Sequence, residues 1–312
     1  MKKLLISIAV LCFSVAQAFD GREQPIRFVV PFAPGGGTDL AVKIYEKYIN
    51  ELGYKTMVDY RPGADGLVGK RDFLEKNDLS GYSILVSGSI PMAQEDAFAR
   101  DKGWTHSDFA MVSDIIHIPN VLATSKKSGI TDYRTLQNKI KSGESLAFAY
   151  GAFSGKVASQ LLINDFKAAD NQVLLVPYKG AGPGLTNVLG GHADMIMVPV
   201  SMVQSMYEAD KLNIVFIGGN RRYAKMKDVP SAAEINTTIP YVGSWGVVLP
   251  KNVKKEVVDF YVNLFRTIAN DPRFVNDIHN IDAFVTVEKM NPTGMMENYN
   301  RHLKLFEKLN VR

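Results

Sequence analysis

The chain has 312 residues, of which 46% are hydrophobic and 22% are charged, and its formal net charge is +4. These values are typical of a folded globular protein, and they exclude a fibrous or intrinsically disordered chain. Basic residues are scattered singly or in pairs, without a basic stripe that carries interleaved aromatic residues, so we expect no nucleic-acid partner. The length favours two lobes, each large enough to bury a core.

The first eighteen residues have the pattern of a secretory signal peptide. Lys2 and Lys3 give a basic start, residues 4–16 are mostly apolar, and Ala16–Ala18 is a small-x-small cleavage site. The apolar run is too short to span a bilayer, and a buried N-terminal helix is the alternative interpretation. Cleavage after Ala18 removes two lysines and no acidic residue, which lowers the net charge to +2. We therefore expect a mature protein in the periplasm.

The only cysteine, Cys12, lies inside this apolar run. Lipidation is an alternative fate for it, but Leu11 stands before it, where a lipoprotein signal has a small residue. We expect the mature chain to contain no cysteine, which excludes disulfides and thiol catalysis.

Apolar runs alternate with helical patterns along the rest of the chain, which is typical of βα units with mostly parallel sheets. The first set predicts strands and helices in turn at 26–32, 39–52, 56–60, 67–76 and 83–86. The second set predicts them at 145–150, 156–166, 173–178, 185–189, 195–198 and 214–217. A strand at 245–249 and helices at 253–269 and 295–309 complete the chain.

The organisation predicted from this order is an α/β fold with two lobes and a discontinuous first domain. No flexible linker separates the two sets, so the chain should cross between the lobes through ordered segments near 118–122 and 217–219. Domain 1 should comprise residues 19–121 and 219–312, and domain 2 should comprise residues 122–218.

The strongest candidate site is the turn Pro34–Asp39, between the first strand and the first helix. Glycines let the backbone approach a ligand closely, and the free N–H groups at a helix start favour an anion. Thr38 adds a hydroxyl and is expected to cap the helix. Asp39 has two open roles, as a charge that complements the helix dipole or as an acceptor for a ligand ammonium or hydroxyl. The spacing matches neither a P-loop nor a dinucleotide fingerprint.

Similar turns follow other predicted strands, at Ser87–Ser89, Tyr150–Gly155 and Lys179–Gly184. Ligands in open α/β sheets bind beyond the carboxyl ends of the strands, so these turns should line one cleft rich in N–H and O–H donors. Micromolar binding requires about 8 kcal/mol, whereas one hydrogen bond to a charged group contributes ~1.5–3 kcal/mol. Turns from both lobes are therefore needed.

Catalytic and metal-binding patterns are missing from the sequence. The five histidines have no metal-ligand spacing, and no G-x-S-x-G elbow is present. His117 is interpreted as a surface or packed histidine more readily than as a cleft residue, and Lys156 is either a partner for a second carboxylate or a solvated helix lysine. We expect no enzyme activity, no cofactor and no metal.

The chain resembles the tripartite tricarboxylate transporter receptors, the Bug-type periplasmic solute-binding family. The matching segments lie in the family's order across nearly all of the mature chain: 25–32 leading into Pro34–Asp39, 61–64, 118–122, 176–180, 189–191, 228–231 and Ser244–Gly246. The chain departs from the family at Val198-Pro199, where an Asp-Asn pair is common, and at Phe153 and Lys156 in the second-domain loop.

This resemblance implies a two-lobed periplasmic-binding-protein fold of the Venus-flytrap, type II-like kind, closing on a di- or tricarboxylate or a related organic acid. The expected partners are this ligand and the membrane subunits of a tripartite transporter, and the receptor is expected to be a monomer. A ligand-sensing accessory to a sensor kinase and a periplasmic hydrolase are the alternatives. The ligand-binding positions that follow from the turns and the resemblance are Gly36, Gly37, Thr38, Asp39, Ser87, Ser89, Tyr150, Gly151, Ser154, Gly155, Lys156 and Val198.

Overall fold

The computed structural model describes residues 19–151, 153–169, 171–223, 225–236 and 241–308. The predicted signal peptide at residues 1–18 lies outside these ranges. Within them, no helix combines the length and the apolar character that crossing a bilayer requires.

Strands and helices alternate along the chain, as the sequence predicts. The strands found in the described residues are β1 (Ile26–Val30), β2 (Thr56–Tyr60), β3 (Ser83–Val86), β4 (Phe109–Ser125), β5 (Leu146–Tyr150), β6 (Val173–Pro177), β7 (Met195–Pro199), β8 (Leu212–Ile217) and β9 (Val242–Pro250). The α-helices are α1 (Gly37–Glu51), α2 (Leu67–Lys76), α3 (Ser89–Phe98), α4 (Tyr133–Lys141), α5 (Phe153–Phe166), α6 (Ala181–Gly190), α7 (Gln204–Glu208), α8 (Lys255–Ala269), α9 (Pro272–His279) and α10 (Pro292–Glu307).

The strands form two sheets that share the long strand β4. In the first lobe, β2, β1 and β3 are parallel, and β9 pairs antiparallel with both β3 and the first part of β4. In the second lobe, β6, β5 and β7 are parallel, and β7 and β8 pair antiparallel with the last part of β4. The antiparallel strands were not expected, and they arise because the chain crosses between lobes in both directions.

Both faces of each sheet are covered by helices, and side chains alternate between the two faces along each strand. In β1, for example, Phe28 and Val30 belong to one apolar cluster and Val29 belongs to the other. The first cluster contains buried residues of α1, α6, α8 and α9, and the second contains those of α2, α3, α4, α5 and α10.

Three chain segments meet at Asn120, in the middle of β4. The Asn120 amide donates to the Tyr241 carbonyl at 2.8 Å, and the Asn120 carbonyl accepts from the Gly218 amide at 2.7 Å. Beyond β8 the chain stays beside the second sheet, because the Ala232 amide donates to the Ile217 carbonyl. The domain boundaries at 121 and 218 stay a prediction.

Most predicted strands and helices lie within a few residues of their predicted bounds, and β2, α2 and β3 match exactly in both limits. The apolar pattern does not predict α3, α4, α7 or α9. For the seventeen-residue β4, the pattern indicates only the short crossing segment near 118–122.

Candidate ligand-binding site

A cavity of about 140 Å³ lies between the two lobes, beyond the carboxyl ends of the parallel strands. The first lobe lines it with the turns after β1 and β3, with β9, and with side chains of α2, α3 and α10. The second lobe lines it with the turns after β5 and β6, with the end of β7, and with α5. Of the predicted site positions, six line the cavity: Gly36, Gly37, Thr38, Ser87, Gly151 and Gly155.

The turn after β1 presents the start of α1 to this cavity. Gly36 precedes the helix in an extended conformation, and Gly37 is its first residue. The first N–H groups of an α-helix have no partner inside the helix, so these amides are available to an acceptor. Thr38 was expected to cap the helix, but no side chain caps it; the Thr38 hydroxyl instead accepts a hydrogen bond from the Trp245 indole N–H at 3.0 Å.

The Asp39 carboxylate folds back and fixes this turn. Its oxygens accept hydrogen bonds from the Gly35 amide at 2.9 Å, the Lys43 ammonium at 2.8 Å and the Tyr60 hydroxyl at 2.5 Å. Its side chain is 3% exposed and does not line the cavity. A role as acceptor for a ligand is therefore not supported, because these protein donors already surround the carboxylate.

The pKa values of this cluster follow from its hydrogen bonds. Burial raises the pKa of Asp39, but the bonds from Lys43, Tyr60 and the Gly35 amide outweigh burial and hold the pKa below its usual value. Burial and the neighbouring Asp39 raise the pKa of the Tyr60 phenol to about 12. Asp39 is thus ionised and Tyr60 is neutral at physiological pH, as the arrangement of their hydrogen bond requires.

The two lobes touch where the turn after β1 meets the second lobe. A Cβ atom on Gly37 would lie 2.7 Å from the Trp245 ring and 2.8 Å from the ring of Pro199, at the end of β7. A Cβ atom on Gly182 would lie 3.4 Å from the Gly35 carbonyl oxygen. The lobes are therefore closed over the cavity.

The turn after β3 supplies the Ser87 hydroxyl to the cavity lining. Ser87 is only 6% exposed, it lines the cavity, and its hydroxyl has no hydrogen-bond partner among the described residues. The two amides that follow Gly88 are hydrogen-bonded within the protein. The Ser89 amide donates to Asp114, and the Ile90 amide donates to the Ser244 hydroxyl.

Ser89 does not reach the cavity, which differs from the expectation. Its hydroxyl donates to the Asp114 carboxylate at 2.5 Å and accepts from the Asn298 amide at 2.7 Å. This side chain is fully buried, and it joins α3 to β4 and α10. Its role in this structure is to hold the first lobe together.

The second lobe contributes mainly backbone and apolar surface. Gly151 packs directly on the next turn, since a Cβ atom there would lie 2.0 Å from the Gly180 carbonyl carbon. Gly155, Gly180, Ala181 and Pro199 also line the cavity. These small residues allow the turns after β5, β6 and β7 to approach a ligand closely.

Three other predicted positions are not brought to the cavity, and a fourth, Ser154, is not described there. Val198 is buried in the apolar core, and the following Pro199 lines the cavity in its place. Lys156 is exposed on α5, and Tyr150 ends β5 outside the lining. The Ser154 side chain lies outside the described part of the structure.

Several lining side chains were missed by sequence reasoning. Trp245 and Ser244 were quoted only as family residues, and Asn120 only as part of a crossing segment. Lys70 on α2 and Glu95 on α3 pair with each other at the cavity wall, and they are the charged side chains among the described lining residues. A lysine and a glutamate on separate helices have the sequence appearance of solvated residues, so no local signal could have found this pair.

One of the five histidines lines the cavity. His302 lines the cavity, and burial lowers its pKa, which keeps the ring neutral near pH 7. Its Nδ1 atom pairs with the Asn298 carbonyl oxygen, and the His106 Nδ1 atom pairs with Asp96. His117 stacks on Phe284 and is not part of the lining.

The family model for the tripartite tricarboxylate transporter family receptor, TctC, matches residues 40–310. The chain belongs to this receptor family. Among similar proteins, BugT from Bordetella pertussis is 28% identical over 242 residues, which cover 75% of this chain and 73% of BugT. The family assignment made from the sequence segments is thus confirmed.

Solved structures confirm the two-lobed periplasmic-binding-protein fold of the receptor. The periplasmic binding protein BugD matches with a TM-score of 0.83 and 22% identity, covering 93% of this chain and 99% of BugD. MatC from Rhodopseudomonas palustris, with bound malate, matches with a TM-score of 0.83 and 20% identity, with the same coverage. A second R. palustris structure, with adipate, has a TM-score of 0.82 and 20% identity, covering 91% of this chain and 95% of that one.

We predict that Asp39→Asn weakens the turn after β1 and does so in a pH-dependent way. The folded-state pKa of Asp39 is lowered, so its contribution to stability is fully present above the unfolded pKa and is lost as the pH falls through the folded pKa. At pH 7 the variant should lose about 2–3 kcal/mol, the value of hydrogen bonds to a charged group. Urea unfolding from pH 7 down to pH 3 measures the difference.

The exposed Asp101→Asn is the matched control and should cost within about 0.5 kcal/mol at each pH. A constant difference between wild type and Asp39→Asn down to pH 3 contradicts the assigned role of the carboxylate.

Proposed function

We propose that the receptor captures a small carboxylate in the cavity between its lobes, leaves it chemically unchanged, and delivers it to the membrane subunits of a tripartite transporter. We also propose that residues 1–18 direct its export and are removed after Ala18. Within this family the receptors are periplasmic solute-binding proteins.

The observation that carries this proposal is the Ser87 hydroxyl, which is buried and has no partner among the described residues, in the same cavity lining as Gly36 and Gly37 at the start of α1. A buried polar group without a partner costs roughly 1–3 kcal/mol, and a ligand acceptor would recover that cost. Backbone amides and hydroxyls at a helix start bind anions well, because they offer aligned donors and the positive end of the dipole. A carboxylate is the acceptor that best fits this donor set.

The closed arrangement of the lobes supports a function in which the ligand is enclosed between them rather than bound at an open surface. Both lobes line the cavity, so a ligand in it has contacts with each of them. A ligand that touches both lobes has differential affinity for the closed state and shifts the population toward it. The malate and adipate bound by two neighbours of the same fold are small carboxylates of this kind.

A panel of carboxylates tests the binding proposal by thermal shift and by fluorescence. A true ligand at a hundredfold excess over its Kd should add about 2.7 kcal/mol of stability. Trp245 lines the cavity, whereas Trp104 packs against Phe109 away from it. The ligand-induced fluorescence change should therefore survive in Trp104→Phe and disappear in Trp245→Phe. Absence of stabilisation across di- and tricarboxylates, aromatic acids and amino acids would sink the proposal.

Substitution of two neighbouring serines distinguishes a residue that contacts the ligand from one that stabilises the fold. Ser87→Ala should leave the free protein at least as stable as wild type, because the hydroxyl has no partner to lose, yet it should weaken ligand binding about 10- to 100-fold. Ser89→Ala should do the reverse and lower the free energy of unfolding by about 1–3 kcal/mol. Calorimetric titration and urea unfolding of both variants measure these effects, and equal behaviour of the two contradicts the assignment.

Disruption of the gene in its host tests delivery to a transporter. Uptake of the bound acid from dilute solution should stop, and a plasmid copy of the gene should restore it. If uptake persists and only a transcriptional response to the acid disappears, the chain serves a sensor kinase instead.

A further inference from the structure

A buried ion pair forms part of the cavity wall. Lys70 on α2 contacts the Oε1 atom of Glu95 on α3, and their side chains are 2% and 3% exposed. Both residues line the cavity. The second carboxylate oxygen of Glu95, Oε2, is also buried, and it has no hydrogen-bond partner among the described residues.

An unpartnered carboxylate oxygen is costly to bury, because ionised groups depend on donors or on water for their stability. Since Glu95 lies at the cavity, a ligand can supply the missing donor. The unpartnered oxygen therefore indicates that the ligand carries a hydrogen-bond donor at this end of the cavity.

The charges around Glu95 do not favour a second anion here. Lys70 is already paired with Glu95, and the nearby Lys102 pairs with Asp96 at 2.6 Å. The Lys102 ammonium also donates to the Glu95 carbonyl oxygen at 3.1 Å. Two cations thus balance two carboxylates in this cluster, so an additional carboxylate would lie beside Glu95 without a compensating charge.

The donor end is separated from the proposed carboxylate end by about two turns of α3. Glu95 follows Gly88 by seven residues, which is roughly 10 Å along a helix axis. Helical side chains lean back toward the N-terminus, which shortens the gap that a ligand has to bridge. A chain of five or six carbons suits this separation.

We propose that the ligand is a monocarboxylate with an N–H donor at its far end, an ammonium or an amide, rather than a dicarboxylate. This inference rests on the proposed capture of a carboxylate by the turns after β1 and β3. It specifies the chemical group that the rest of that site recognises, an N–H donor. Glu95 accepts the donor, and Lys70 holds the carboxylate in place.

Calorimetric titration of the full-length mature chain with four matched six-carbon acids tests the selection. The acids are hexanoate, adipate, 6-aminohexanoate and the monoamide of adipate, the last two of which distinguish an ammonium from an amide. We expect at least one N–H-bearing acid to bind at least tenfold more tightly than adipate and hexanoate. Adipate binding as tightly as either N–H-bearing acid overturns the inference while leaving carboxylate capture intact. Failure of all acids, in this series and in the broader panel, is instead a failure of the proposed function.

Variants at the pair test the role of Glu95 directly. Glu95→Gln leaves Lys70 without its counter-charge and is expected to be unstable, so the decisive variant is Lys70→Met with Glu95→Leu, which removes both charges together. It should lose at least tenfold in its preference for the N–H-bearing acid over hexanoate. The exposed Glu75→Gln on α2 is the control and should keep the wild-type preference. A double variant that retains the preference overturns the assignment of Glu95.

Discussion

The turn after β1 makes its tightest contact with the second lobe at a residue that carries no side chain. Gly37 lies against the Trp245 ring and Pro199 at once, and any Cβ atom there would overlap both. This contact closes the cleft and presents the first amides of α1 to the cavity. The conformation of the turn is fixed from behind by Asp39, whose carboxylate binds the Gly35 amide and the side chains of Lys43 and Tyr60. A charged residue next to the proposed anion site thereby stabilises the turn itself.

The described lining residues of the cavity include no uncompensated cation, so a ligand in the proposed site would be held by neutral donors. Neutral donors attract a carboxylate less strongly at long range than an arginine or lysine does, but they are aligned in advance and need little rearrangement. A receptor has to release its ligand as well as bind it. Recognition by amides and hydroxyls from two lobes would allow both binding and release, because opening the lobes separates the donors of one lobe from those of the other.

The sequence predicts the alternation of strands and helices well because buried parallel strands are continuous apolar runs. It fails at β4, where Asp114, His117 and Asn120 interrupt the apolar pattern. The Asp114 carboxylate is bound by the distant residues Ser89 and Asn298, and such partners are invisible in a local window. The helix α9 had a readable start, with Asp271 as N-cap and Pro272 at its first position, and this signal was overlooked.

Site positions were predicted better for glycines than for polar side chains. A glycine at a strand end acts through its backbone, whose place follows from the fold, and Gly36, Gly37, Gly151 and Gly155 all line the cavity. The direction of a side chain depends on its neighbours in space. Ser87 and Ser89 are two residues apart in the same turn, yet the first lines the cavity and the second is buried against Asp114.

The junction at Asn120 bears on how such a molecule would open. Its backbone is bonded on one side to the segment leaving the second lobe and on the other to the strand re-entering the first. Because both connections converge on one residue, a rotation of the lobes about this point changes the backbone geometry of few residues. The free-energy cost of opening then lies mainly in hydrating the surfaces that meet around Gly37, and a ligand that touches both lobes adds to this cost.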